Sequence, residues 1–84
     1  MITIESRHIM DAIREDCPLN IQGSLERITL LPPSSSNKSF GVARFETSEG
    51  EKEVTCAWWV SVMPETSELV IRWIGTERVF SVEL

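Results

Sequence analysis

The chain contains no tyrosine and a single histidine, His8. Acid–base and metal chemistry are therefore thinly supplied, because histidine is the side chain that changes charge near neutrality and the commonest metal ligand. There is no CxxC pair, no HxxxH pair, no glycine-rich nucleotide loop and no nucleophile elbow. Cysteine is equally scarce: Cys17 and Cys56 are too few for the disulfide framework of a small secreted domain, which takes four or more. Both read as reduced thiols in a cytoplasmic protein, with a single bridge between them as the alternative. No apolar run approaches the roughly 20 residues of a membrane span. The opening Met1-Ile2-Thr3-Ile4-Glu5-Ser6-Arg7 lacks the positive region and apolar stretch of a secretory signal. Positive charge is also short. Eight Lys and Arg stand against 13 Asp and Glu, a net charge of -5, and the basic residues are scattered. This argues against direct nucleic-acid binding, which needs clustered cations.

What remains describes one ordinary folded domain over residues 1–84. Hydrophobic residues make up 42% of it, more than a disordered chain carries. A chain this short buries only about 60% of its unfolded surface, so a few large side chains must fill the core. Three Trp and three Phe are available, each able to bury roughly 150–250 Å².

The candidate chemical sites are weak. His8, Asp11 and Glu15 fall near one side of a helix, but one imidazole and two exposed acids make a poor metal set. Cys17 lies near a helix C-terminus behind acidic neighbours, which disfavours the thiolate, and Cys56 belongs to an apolar run. Ser34-Ser35-Ser36-Asn37-Lys38-Ser39 superficially resembles an anion cradle without the glycines that let backbone approach phosphate. No cofactor and no metal are expected. Glu46, Glu49, Glu51 and Glu53 crowd one segment, offset by Lys52. This is either a solvated hairpin tip or an acidic prong for a basic partner.

Periodicity predicts an α+β fold. A short amphipathic helix spans Ile4 to Asp16, capped by Thr3, with Ile9, Met10 and Ile13 on one stripe. Pro18 closes it. A mostly antiparallel meander of five strands follows, free to curl into a small, partly open barrel. Its strands run Leu19–Leu31, Lys38–Thr47, Glu53–Met63, Glu68–Ile74 and Arg78–Leu84. Apolar parity switches within the first of them, which places a bulge near Glu26-Arg27. Pro32 to Asn37 form a loop.

Turn placement gives a register. Trp58 is set opposite Trp73, Val60 opposite Ile71 and Val62 opposite Leu69. Trp73 then meets Phe80, Ile71 meets Val82 and Leu69 meets Leu84. Phe45 meets Val54, Ala43 meets Cys56, and Gly41 meets Trp58, whose ring can lie over the glycine. One face collects Phe45, Val54, Cys56, Trp58, Val60, Val62, Leu69, Ile71, Trp73, Phe80, Val82 and Leu84 as the core. The other face is only partly polar: Phe40, Val42, Ala57, Trp59, Val70, Ile74 and Val79 accompany Arg44, Thr55, Ser61, Arg72, Ser81 and Glu83.

One short helix cannot cover both faces. Either the sheet curls around its core with the helix outside, or the helix covers the core face and leaves Trp59 open, or a second copy of the chain covers that face; the plainest alternative is that the helix itself roofs Trp59 through Met10 and Ile13. The leading expectation is a non-enzymatic protein-binding module, an adaptor or inhibitor. It would dock another protein or a second copy of itself through Trp59, Arg72, Phe40, Val70, Ile74 and Val79, since Trp and Arg are enriched at interface centres. The alternative is an acidic inhibitor of a nucleic-acid-handling complex, of the phage anti-defence type, acting through the Glu46–Glu53 hairpin. A small enzyme or metal protein built on His8 comes last.

Overall fold

Ile2, Thr3 and Ile4 are three β-branched residues in succession, which fit a pleated surface better than a helix. In the computed structural model, which describes residues 1–35 and 39–84, they form a short strand, β1 (Ile2–Ile4). The helix α1 (Arg7–Asp16) therefore starts three residues later than its apolar pattern suggested. Its cap is Ser6, not Thr3: Ser6 is extended (φ -64°, ψ 121°) and its Oγ accepts the Ile9 N–H at 3.5 Å. At the other end the Cys17 N–H donates to the carbonyls of Ile13 and Arg14, and Pro18 prevents continuation.

Residues 19–24 are not strand. They run between the polar side of the helix and the tip of a hairpin. Arg7 donates to the Leu25 carbonyl at 2.7 Å and Arg14 to the Gly23 carbonyl at 2.9 Å. The Ser48 N–H donates to the Ser24 carbonyl, and the Ser24 N–H to Ser48 Oγ. These bonds satisfy backbone groups that a sheet partner would otherwise have to meet. The strand proper is β2 (Leu25–Leu31). Its register slips between Leu25 and Arg27, at the place the parity switch demanded.

Four more strands follow: β3 (Gly41–Thr47), β4 (Gly50–Val62), β5 (Ser67–Trp73) and β6 (Phe80–Glu83). The expected start of β3 at Lys38 and the Ser36-Asn37 end of the loop lie outside the described residues. All six strands pair antiparallel with their sequence neighbours, in the order β1-β2-β3-β4-β5-β6. The meander curls into a half-barrel, with six strands where five were expected. Helix α1 contacts both β2 and β6 and so lies across the open side, against the concave face.

Each of the three expected pairings differs by a slip of two. Trp58 pairs with Ile71, not Trp73, and Val60 with Leu69. Ile71 pairs with Phe80 and Leu69 with Val82. Ala43 pairs with Val54 and Gly41 with Cys56. At the β3–β4 turn the cause is local. Ser48-Glu49 closes it in two residues, with Glu49 N–H bonded to Thr47 Oγ1 and the left-handed twist taken by Gly50 at φ +114°. Because side chains alternate with a period of two, a slip of two keeps every residue on its face.

The core face is accordingly as read at its centre and not at its ends. Phe45, Cys56, Leu69, Ile71 and Trp73 are fully buried together with Met10 and Ile13 of the helix. The Phe45 and Trp73 rings stack 6.2 Å apart, and Trp73 Nε1 donates to Asp16 Oδ2 at 2.8 Å, which fixes the helix C-terminus on the sheet. Val62 (78% exposed) and Leu84 run past the covered area. The Trp58 ring does lie over Gly41, although the two are not paired, and its Nε1 donates to the Leu31 carbonyl at 2.8 Å.

Candidate functional site: the outer face of the sheet

Because Met10 and Ile13 are spent on the concave face, the convex one receives no cover from the helix. The expectation that Trp59 packs beneath Met10 and Ile13 is corrected: those residues join the core around Trp73, and Trp59 is 48% exposed. Within one chain the helix covers the concave face and leaves Trp59 half-exposed on the convex one.

The slip of two rearranges its neighbours. Trp59 lies opposite Val70, while Arg72 lies opposite Ala57. The pairing of β3 with β4 ends at Gly41–Cys56, so half-buried Phe40 precedes the strand and is not across from Trp59. Ile74 and Val79 fall in the connection between β5 and β6, exposed, and are not in the ladder with Trp59. The structure thus brings together Trp59, Val70 and Ser81 in one row. Val70 is buried yet outside the core cluster, so its cover comes from outer-face side chains, of which Trp59 is the largest.

Two residues along β5 in each direction the same face carries charge. Arg72 stands on one side of Val70. On the other side Glu68 stands directly opposite Glu83. Like charges in facing positions repel. Yet among the described residues the side chains of Arg72, Glu68 and Glu83 make no ion pair or hydrogen bond. The sequence did not reveal the Glu68–Glu83 pair, because the register read from it set Leu69 against Leu84.

The acidic segment differs in this respect. Arg44 binds Glu53 at 3.1 Å and Glu51 at 3.5 Å, and Arg27 lies 3.7 Å from Glu46. Two arginines thus hold Glu46, Glu51 and Glu53, while Lys52, opposite Phe45 on the other face of β4, makes no ion pair with the segment's carboxylates among the described residues.

The other candidates are dispersed. His8 is exposed, and Asp11 is shared between Arg7 and Arg14, each at 3.7 Å. Cys17 is half-buried, and burial raises its thiol pKa above the ordinary value before neighbouring Asp16 adds to it. Burial pushes the Cys56 thiol up to about 12, with the charge of Cys17 contributing. Both cysteines are free. Two shallow clefts occur, one lined by Asn20, Gln22, Thr47, Glu49 and Lys52, the other by Glu15, Asp16, Arg78 and Phe80. Among the described residues no three His, Cys, Asp or Glu side chains converge as a metal would need, and no helix is long and apolar enough to cross a membrane. Comparison with known families, curated proteins and solved structures returns no match.

Proposed function

We propose that the protein is a small binding module that docks a protein surface onto the outer face of its sheet, with Trp59 as the anchor. A single observation supports this reading above others: helix α1 is committed to the concave face, while a half-exposed tryptophan remains on the convex one. Water contact with a large apolar ring is unfavourable by roughly 25 cal/mol per Å², and tryptophan is enriched where interfaces concentrate their energy. Arg72, one pair further along, adds the other residue type enriched there. The role proposed for it is that of an adaptor or inhibitor. The free Cys17 and Cys56 thiols support a reducing, cytoplasmic setting. The acidic-prong alternative is less favoured because Arg44 and Arg27 offset two of the hairpin's four carboxylate charges.

Trp59→Ala tests the proposal. The tagged wild type should retain bound protein from its native cell, and the variant should lose at least nine-tenths of it. Circular dichroism and thermal midpoint should stay within a few degrees. A variant that binds as well as wild type, or one that unfolds, would place Trp59 outside any docking surface.

A further inference from the structure

The charges around Trp59 are arranged with opposite sign on either side of an apolar centre. Along the outer face of β5 the order is Glu68, Val70, Arg72: acid, apolar, base. Glu83 reinforces the acidic end from β6, and Trp59 widens the centre from β4. At about 3.3 Å per residue, Glu68 and Arg72 stand roughly 13 Å apart with Val70 midway. None of the three charged side chains is engaged within the described residues, whereas the other acids of this face, Glu46, Glu51 and Glu53, are held by Arg27 and Arg44.

We infer that the occupant of this face is a second copy of the chain, packed outer face to outer face. The inference rests on the docking reading above and names its partner. A symmetric dimer requires a self-complementary patch, in which residue i of one copy meets j of the other and j meets i. With the strands of the two copies stacked in line, the twofold axis between the faces runs either along the strands or across them. An axis running along the strands sets Arg72 beside Arg72 and Glu68 beside Glu68, which repel. An axis running across the strands at the level of Val70 turns each β5 end for end. Arg72 of one copy then comes over Glu68 and Glu83 of the second copy, twice by symmetry, and the two Trp59 rings meet at the centre. A guanidinium offers five donors in a planar fork, enough to bridge two facing carboxylates and relieve their repulsion. A partner of uniform charge would leave either Arg72 or the Glu68–Glu83 pair unmatched. The area needed is modest: a specific interface must clear about 1,000 Å² in total, roughly a tenth of each copy's 5278 Å² surface.

Arg72 is exposed and Glu68 partly buried, so the thermal midpoint of each variant, expected within a few degrees of wild type, is measured alongside. In analytical ultracentrifugation, the full-length wild type should rise from 9.5 kDa towards twice that mass as concentration increases from micromolar to millimolar. Arg72→Glu and Glu68→Arg should each weaken this self-association at least tenfold. Mixed in equal amounts, the two variants should recover it: acid faces base at both ends of the mixed pair, whereas the pure Arg72→Glu pair sets acid on acid and the pure Glu68→Arg pair sets arginine on arginine with Glu83 alone to offset them. A wild type that stays monomeric throughout overturns the second-copy assignment, and so does a dimer indifferent to both substitutions. In either case Trp59-dependent capture of a different protein would leave the docking reading standing, so the two failures are distinguishable.

Discussion

Gly41 shows how one residue's lack of a side chain sets the position of another. A Cβ placed there would come within 2.6 Å of Trp58 Nε1 and 2.9 Å of its Cδ1, and would press on the Leu31 carbonyl. That carbonyl is the acceptor of the indole N–H, so ring, glycine and strand β2 form one contact. The backbone of β2 cannot retreat without loosening its ladder to β3. Gly41→Ala should therefore cost about 1–3 kcal/mol, the usual range for overpacking, and shift the tryptophan emission as the Trp58 ring is displaced. Urea denaturation checks the first and fluorescence the second. A variant as stable as wild type would mean that the Trp58 ring moves aside freely.

At the scale of the element, the boundary between β1 and α1 turns on which hydroxyl caps the helix. Ser6 Oγ accepts from the Ile9 N–H at a long 3.5 Å, so Ser6→Ala should lie towards the low end of cap deletions, about 0.5–1 kcal/mol. Thr3→Ala, in the strand, should cost less. Equal losses in thermal or urea midpoints would contradict the cap assignment. The same boundary shows what the sequence could convey. The stripe of Ile9, Met10 and Ile13 announced the helix, and Pro18 its end. At about 100° per residue Ile4 falls nearly opposite that stripe, and it pairs instead with Ile28 in the sheet. Faces were legible within β3 to β6, since alternation survives any slip of two, but not at residues 19–24, Phe40, Ile74 and Val79, which lie outside the strands. The bulge at Glu26 was legible for the same reason, a slip of one being intolerable. Exact partners were not legible, because a hairpin closing at Thr47–Gly50 rather than Thr47–Lys52 preserves every inward residue. Hence Trp59 was found while the facing Glu68 and Glu83 were missed. The ion pairs of Arg44 were missed for a related reason: Arg44 lies opposite Glu53 only in the true register.

For the whole molecule, stability depends on a core closed by one helix, and Cys56 lies fully buried inside that core. Ionising a thiol there requires bringing a charge out of water, which is why its pKa is pushed up to about 12 from an ordinary 9.0. Between those values the folded chain keeps a proton that the unfolded chain has released. Folding stability is then fully present below about pH 9 and declines as the pH rises towards 12, with a limiting slope of about 1.4 kcal/mol per pH unit. Cys17, raised in the same direction, adds to the decline. No tyrosine exists to titrate across the same window, so the thiols stand out there. Urea midpoints at pH 8 and pH 10.5 should fall by an amount corresponding to a loss on the order of 1–2 kcal/mol. Cys56→Ala, though less stable overall because it opens a small cavity, should show a clearly shallower decline. Parallel declines in wild type and variant would mean that Cys56 ionises as readily folded as unfolded, and that its place in the core does not exclude water.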